Sequence, residues 1–230
     1  MSIIKKRELF FDGELENKIK RESSWAIHSS SYLIRPLAKI IFRYTVIGKE
    51  NIPKEGGAII AANHVSLADP FFLMAALRPR ILRILAKKSL FVPMFGGLLA
   101  RNGAIPVQQD SADRTAVKRS AAVIKNGELL GIFPEGTRMN SPEKEYKPHA
   151  GLVLIANMAK CDIIPVGLVG TDKIKPYNKH FISFPKVTIN IGKPISLDDY
   201  IEVNKKERTQ KILDDTMNQI FSLRDEVKDK

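Results

Sequence analysis

The sequence predicts an α/β fold, in which a largely parallel or mixed sheet is flanked by helices and carries an N-terminal helical appendage. Short apolar runs typical of buried strands alternate along the chain with longer stretches whose apolar residues recur at helical spacing. Glycine, proline and asparagine separate these runs, as expected of connecting turns. The 230 residues, of which 44% are hydrophobic, suffice for one large domain with a substantial core. We therefore predict an N-terminal arm and amphipathic helix over 1–47 and an α/β domain over 48–230.

The N-terminal segment is predicted to lie on a membrane surface. Residues 1–24 are mostly polar and charged, which indicates an arm, whereas residues 25–46 have the periodicity of a helix with two stripes. The apolar stripe comprises Leu33, Leu37, Ile40, Ile41 and Tyr44, and the cationic stripe comprises Arg35, Lys39 and Arg43. Such a helix suits an anionic membrane surface, and the alternative is a helix packed on the domain with a solvated basic face. No apolar run approaches the roughly 18 residues needed to cross a bilayer, so any membrane contact is expected to be peripheral.

The elements of the α/β domain follow from local signals. Strands are predicted over 58–62, 80–87, 129–133, 162–170 and 186–191, which are short apolar or alternating runs. A helix begins at Asp69 and Pro70 and runs to residue 77, because proline is tolerated at the first helical position. Further helices are predicted over 114–125, 150–160 and 209–227, and glycine after asparagine at 126–127 ends the first of these.

The composition indicates an anionic partner. The chain carries a formal net charge of +12 and a pI near 9.7, which suits an anionic membrane, a phosphorylated substrate or nucleic acid. The basic residues are dispersed and few aromatic residues lie among them, so no nucleic-acid partner is expected. The single cysteine, Cys161, excludes an internal disulfide and favours a reducing compartment. The four histidines lack zinc-site spacing, so no metal is expected.

A histidine and an aspartate lie close together where the first predicted strand ends. His64 follows the strand over 58–62, and Asp69 begins the next helix. A neutral imidazole can take a proton from a hydroxyl, and a carboxylate behind it fixes the tautomer and stabilises the imidazolium. The alternative is that Asp69 only caps its helix and that His64 is an ordinary turn residue.

A second stretch, 131–138, also places polar groups at the end of a strand. The strand over 129–133 is followed by a sharp turn at Gly136 and then by Arg138. Glycine allows backbone to approach a ligand closely, and the planar guanidinium of arginine binds phosphate oxygens in two places at once. This stretch therefore predicts a phosphate-binding turn.

Together the two stretches resemble the glycerolipid acyltransferase family, which includes the 1-acylglycerol-3-phosphate acyltransferases. Asn63, His64 and Asp69 match the family's N-H-x-x-x-x-D block, and 133–138 match its F-P-E-G-T-R block at every position. The resemblance covers about 48–195, which is most of the chain. Two blocks in the right order, one of them matched over six residues, make the resemblance specific.

The family's second block is matched only in part. Lys87 and the apolar positions that follow it agree with the pattern, whereas Gln108 and Gln109 stand where the family has an arginine linked to recognition of the acceptor phosphate. This difference leaves the identity of the acceptor open. The fourth block is matched by the apolar run Ile164-Pro165-Val166, which core packing alone can explain.

The resemblance implies transfer of a fatty acyl group from acyl-CoA or acyl carrier protein to the sn-2 hydroxyl of lysophosphatidic acid, giving phosphatidic acid. It assigns His64 as the base and Asp69 as the group that orients it. The substrate-binding residues implied are Lys87, Glu135, Gly136, Thr137 and Arg138, and Glu135 is expected to hold its turn or contact acceptor hydroxyls. Direct transfer is favoured, because Ser66 lacks a nucleophile-elbow pattern.

The same reading implies no bound cofactor, since the thioester is a co-substrate, and a peripheral location on the cytoplasmic face of the membrane. Two alternatives remain at this point. One is an acyltransferase that acts on another lyso-lipid or on glycerol phosphate. The other is a non-enzymatic basic protein that binds membrane or nucleic acid.

Overall fold

The computed structural model describes residues 39–91, 99, 104–108, 113–139, 148–175 and 182–228. Seven strands and four α-helices lie wholly within these residues. The strands are β1 (Thr45–Ile47), β2 (Ala58–Ala62), β3 (Leu82–Lys87), β4 (Ile105–Val107), β5 (Leu129–Ile132), β6 (Ile163–Val169) and β7 (Thr188–Ile191). The helices are α1 (Asp69–Ala76), α2 (Arg114–Lys125), α3 (Gly151–Ala159) and α4 (Lys205–Lys228). Short 3₁₀ turns occupy Lys49–Asn51, Lys88–Leu90, Thr171–Lys173 and Leu197–Tyr200.

The strands form one mixed sheet in the order β1-β7-β6-β2-β5-β3-β4. Every neighbouring pair is parallel except β6 and β7, which are antiparallel. The predicted fold class, an α/β fold with a largely parallel or mixed sheet flanked by helices, is therefore confirmed. Because β2, β3, β5 and β6 run in the same direction, their carboxyl ends lie side by side, and we call this row of strand ends the edge of the sheet. Ligands bind at this edge in open α/β sheets.

The two faces of the sheet carry separate cores, and the central strand β2 shows how they are built. Its side chains alternate between the faces, and all five are buried. Ile60 and Ala62 pack into the core beneath α1, whereas Ile59 and Ala61 pack into the core shared by α2, α3 and α4. A strand buried on both faces reads as a continuous apolar run, which is the pattern that predicted it.

Several predicted elements agree with the structure. All five predicted strands are present, and α2 has the predicted bounds, because Asp113 accepts a hydrogen bond from the backbone N–H of Ala116 at one end and Gly127 takes a φ of 82° at the other. Strands β1 and β4 were not predicted as strands. Each has three residues, too few for periodicity to identify.

The prediction of one helix over 25–46 is wrong at its C-terminal end. Residues 39–41 are helical, but Tyr44 is buried and β1 pairs in parallel with β7. The sheet therefore includes 45–47, which the sequence had assigned to the N-terminal appendage. Residues 1–24 and 25–38 lie outside the described residues. No helix in the described part of the chain has both the length and the apolar character needed to cross a membrane.

Candidate active site

The candidate site lies at the edge where β2 and β5 end side by side. These strands are parallel neighbours, and Ala61 is aligned with Ile132. The residues that follow both strands are consequently brought to the same place. This explains how two stretches far apart in the sequence, one beginning at Asn63 and the other at Phe133, form a single site.

Asn63 fixes the first residue of the turn after β2. Its side-chain amide donates to the carbonyl of Leu168 at 3.0 Å, and its carbonyl oxygen accepts from the N–H of Leu168 at 2.7 Å. The amide thus pairs with Leu168 of β6 in the way that the backbone of a neighbouring strand would. Asn63 is only 1% exposed. Polar groups buried this deeply need such partners, so the pairing holds the start of the turn against the sheet.

Asp69 organises the turn from its other end. Its Oδ2 lies 2.8 Å from Nδ1 of His64 and accepts from the backbone N–H groups of Val65 at 2.8 Å and Ser66 at 2.7 Å. The carboxylate is fully buried, and it is directed back onto the turn instead of capping the first N–H groups of α1. This geometry differs from the simple helix cap that the sequence left open.

The imidazole of His64 is held between a carboxylate and an aromatic ring. It stacks on Phe133, with ring centroids 4.2 Å apart and planes inclined by 21°, and its side chain is 17% exposed. A carboxylate facing Nδ1 favours the tautomer that carries the proton there, which leaves the lone pair on Nε2. The arrangement is that of a base whose orientation is fixed and whose second nitrogen can accept a proton.

The backbone of His64 is held on both sides by the stretch after β5. Its N–H donates to Oε2 of Glu135 at 2.6 Å, and its carbonyl accepts from the N–H of Met139 at 2.7 Å. Between these two contacts the chain turns sharply, with Gly136 at a φ of 66° and its N–H bonded to the carbonyl of Phe133. Only glycine adopts such a φ readily, which accounts for the residue type at this position.

Glu135 is a buried carboxyl, and burial is the main reason that its pKa is raised to about 7. The negative charge of Asp69 raises the pKa further, whereas the hydrogen bond from His64 and the positive charge of Arg224 lower it. Of the two roles expected for Glu135, the structure shows the first, which is holding the turn. Contact with acceptor hydroxyls stays a prediction.

The predicted phosphate-binding residues lie around this centre at different distances. Arg138 is partly buried and Thr137 is exposed, and both follow the Gly136 turn. Lys87 is exposed at the end of β3, which is separated from β2 by β5, so a spacing of about 10 Å is expected between the two strands. Lys87 therefore lies at the same edge of the sheet as His64, two strands away. The role of each in binding stays a prediction.

The second block lies further along the sheet and is only partly described. Gln108 follows β4 and is exposed, and its N–H donates to Asp113 at 3.1 Å, so it lies at the start of α2. Gln109 lies outside the described residues.

Sequence reasoning missed four contributors to the site. Asn63 and Phe133 belong to the matched blocks, but their pairing with Leu168 and stacking on His64 had no local signal. The N–H of Met139 and the charge of Arg224 were missed entirely, because the first is a backbone group and the second lies on α4. Within the described ranges, no group of three or more His, Cys, Asp and Glu side chains is placed to hold a metal ion.

Comparison with known proteins agrees with the geometry. A family model described as Acyltransferase matches residues 43–169. A 1-acyl-sn-glycerol-3-phosphate acyltransferase of Bacillus subtilis is 30% identical over 164 residues, which cover 71% of this chain and 79% of that protein. An enzyme of the same name from Saccharomyces cerevisiae is 31% identical over 184 residues, which cover 76% of this chain and 60% of that protein.

A solved structure shares the fold. The 1-acyl-sn-glycerophosphate acyltransferase of Thermotoga maritima superposes with a TM-score of 0.58 at 22% identity, and the match covers 96% of this chain and 88% of that one. At this identity the likeness concerns the fold alone.

Proposed function

This chain belongs to the acyltransferase family, and from that premise we propose that it acylates the sn-2 hydroxyl of lysophosphatidic acid to give phosphatidic acid. The observation that carries the proposal is the fixed His64–Asp69 pair at the end of β2. The names of the bacterial and yeast relatives support this choice of acceptor. In this proposal the product serves phospholipid biosynthesis.

The reaction follows from the arrangement of the pair. Nε2 of His64 takes the proton of the acceptor hydroxyl while the oxygen attacks the thioester carbonyl. The tetrahedral intermediate then collapses, the carbon–sulfur bond breaks, and the leaving thiolate receives the proton from the imidazolium. Asp69 keeps Nδ1 protonated and stabilises the positive charge that His64 carries in between.

The acceptor phosphate is assigned to Arg138, with Lys87 as a second cation at the same edge. A guanidinium binds two phosphate oxygens at once and gives both affinity and orientation. The backbone of Gly136 and the hydroxyl of Thr137 lie in the same turn and complete the proposed binding set. Orientation is important here, because an attacking hydroxyl must lie within about 3–3.5 Å of the carbonyl carbon.

The donor in this proposal is a fatty acyl thioester of coenzyme A or of acyl carrier protein. Both present the same carbonyl to the attacking oxygen, and the chemistry above is the same for either. Because the thioester is already activated, the reaction requires no metal ion or bound organic cofactor.

Lysophosphatidic acid is held in membranes, so we place the enzyme on the cytoplasmic face of an anionic membrane as a peripheral protein. The net charge of +12 supports this location. Exposure of Lys39, Ile40 and Arg43 in the described part of the predicted membrane segment also agrees with it.

One observation favours a second acceptor class. Gln108 and Gln109 stand where the resemblance to the glycerolipid acyltransferases implies an arginine, so the proposed site has one cation fewer for a phosphate. A lyso-lipid without a free phosphate is the corresponding alternative. Glycerol phosphate, the other alternative acceptor, carries the same phosphate and is distinguished only by the panel of acceptors below. If lysophosphatidic acid is the acceptor and the missing arginine weakens binding of its phosphate, Gln109→Arg should strengthen binding of lysophosphatidic acid. If Gln109→Arg has no effect while a phosphate-free acceptor is used well, the alternative is correct.

The direct experiment is to incubate the purified full chain with a panel of acceptors and both donor types and to identify the products by mass. Lysophosphatidic acid, other lysophospholipids and glycerol phosphate are compared at equal concentration. The proposal expects phosphatidic acid as the main product. Preference for any other acceptor by tenfold or more in kcat/KM would overturn the assignment.

A further inference from the structure

Large apolar side chains are exposed beside the candidate site. They come from three segments, those before β1, at the start of α1 and before β7. We refer to them as the apolar rim, and they are Ile40, Ile41, Leu67, Phe71, Ile182 and Phe184. Ile182 is 64% exposed and Phe184 is 57% exposed. Side chains of this size are rarely left in water as a continuous group unless the surface meets a partner.

Contacts beneath the rim join its three segments. The ring of Phe42 lies 5.6 Å from that of Phe184 and 5.3 Å from that of Phe72, which follows Phe71 in α1. The N–H of Val187 donates to the carbonyl of Phe42, so the segments before β1 and β7 run side by side. The exposed residues are therefore one surface and not separate side chains.

This surface lies at the edge of the sheet that holds His64. The start of β7, Thr188, pairs with Val169 at the end of β6, and β1 runs parallel to β7. The rim segments before β1 and before β7 consequently approach the sheet from the edge where β2 ends. Leu67 lies in the turn between His64 and Asp69, so the rim reaches the site itself.

Exposed cations border the rim. They are Lys39, Arg43, Lys173 and Lys175, with Asp172 as an exposed acid among them. The guanidinium of Arg43 donates to the carbonyl of Phe184 at 3.2 Å, which places a positive charge directly beside the apolar group. Apolar side chains bordered by cations match a bilayer with an anionic surface, since the former enter the acyl region and the latter meet the headgroups.

We propose that the apolar rim docks the catalytic edge onto an anionic bilayer, with Ile182 and Phe184 entering its surface. The inference rests on the proposed function, because it gives a membrane-held lysophospholipid a route to His64 that does not cross water. It goes further in that it assigns membrane contact to the catalytic domain itself, in addition to the N-terminal segment. It also fixes which edge of the sheet faces the lipid.

The test compares two double variants of the full chain. Ile182→Ser with Phe184→Ser removes the centre of the rim. Leu154→Ser with Met158→Ser removes another exposed apolar pair, from α3 on the other face of the sheet. Binding to vesicles of phosphatidylcholine with phosphatidylglycerol is measured by sedimentation, with melting temperature as a check on folding. Burial of two such side chains predicts a loss of at least about tenfold in the partition constant for the rim variant. The α3 variant should bind as the wild type does.

Ile182→Asp is a second variant, because Phe184 contacts Phe42 and its replacement can disturb the fold. Ile182 is the more exposed of the pair, so a charge there should weaken vesicle binding without lowering the melting temperature. Unchanged binding in both rim variants would overturn the proposal, and so would equal losses in the rim and α3 variants. The first result would assign the rim to another occupant, such as a protein partner, and the second would show that exposed apolar residues bind vesicles wherever they lie.

Turnover separates this inference from the proposed function. With a short-chain lysophosphatidic acid below its micelle concentration, the rim variants should retain wild-type activity, while activity on vesicle-bound acceptor falls with binding. A chain that binds vesicles through the rim but acylates no lysophospholipid would support the docking surface and contradict the proposed function. Equal activity of wild type and rim variants on vesicle-bound acceptor would contradict the docking surface alone.

Discussion

The backbone N–H of His64 donates to Oε2 of Glu135 across 2.6 Å, and this bond joins the turns that follow two neighbouring strands. The carboxyl acts on the base through the backbone and not through the ring. Its burial and its contact with His64 connect the stability of the fold to the geometry of the site.

Glu135 should make the free energy of unfolding fall as the pH rises. Its pKa is near 4.5 in an unfolded chain and about 7 when folded, so the folded protein holds the proton more tightly. This contribution is complete below about pH 4.5 and is lost as the pH rises through about 7, and a shift of this size corresponds to roughly 3 kcal/mol. Denaturant unfolding should show that the free energy of unfolding of the wild type is lower at pH 8 than at pH 4.5. This difference should be absent from Glu135→Gln.

The matched control for that experiment is Glu207→Gln, which removes an exposed carboxylate near the start of α4. It should follow the wild type at both pH values. If Glu135→Gln also loses the same stability as the wild type, the buried carboxyl is not the source of the pH dependence.

Asn63 should be important for stability as well as position. Asn63→Ala leaves the buried N–H and carbonyl of Leu168 without side-chain partners, which should lower the free energy of unfolding by roughly 2–4 kcal/mol. Asn157→Ala is the control, because the exposed Asn157 donates only to the carbonyl of Val153 one turn earlier in its own helix. Equal losses of free energy of unfolding in the two variants would show that the pairing with β6 stabilises the protein no more than a hydrogen bond within one helix does.

Asp69→Asn should impair turnover by a larger factor than its effect on folding explains. The amide keeps the shape of the carboxylate but no longer stabilises an imidazolium, and it can present a donor to Nδ1 or to the N–H groups of the turn. Steady-state kinetics and thermal unfolding are measured on the same preparation. A variant with lower melting temperature but normal kcat would return Asp69 to a purely structural role.

The outcome for the helix and strand predictions has a physical explanation. Helix α2 was predicted to the residue from its periodicity and from the stop at Asn126 and Gly127, which are local signals; the cap at Asp113 became visible only in the structure. The strand β1 was mistaken for helix, since apolar and cationic residues continue at helical spacing up to Tyr44. What makes 45–47 a strand is pairing with β7, which lies far along the chain and leaves no mark in the local sequence.

The candidate site divides in the same way. His64 and Asp69 were noticed from their positions at the end of a strand and the start of a helix, but the resemblance, which also covers the block over 133–138, assigned their roles. The bond between His64 and Glu135 depends on the alignment of β2 with β5, and the pairing of Asn63 depends on β6. Contacts that depend on strand order could not be predicted from local periodicity and turn signals, which do not reveal that order.

Arg138→Lys should weaken binding of the acceptor and leave binding of the donor unaffected. An ammonium makes a point contact where a guanidinium makes two, and the loss of one charge-assisted contact corresponds to about 1.5–3 kcal/mol. The expected result is a roughly ten- to hundredfold fall in kcat/KM for lysophosphatidic acid, with an unchanged KM for the acyl donor. Arg114→Lys, at the exposed start of α2, is the control and should change neither constant. A defect confined to the donor would assign Arg138 to the phosphates of the carrier.

The turnover of His64→Ala tests the central claim most directly. The purified full chain is assayed with lysophosphatidic acid and acyl-CoA. The control is His149→Ala, which removes an exposed imidazole and keeps the backbone hydrogen bond from His149 to Pro134. Removal of a general base should lower kcat by about 10²–10⁴ while the melting temperature stays close to that of the wild type. A folded His64→Ala protein that retains kcat within a fewfold of the wild type would contradict the assignment of His64 as the base.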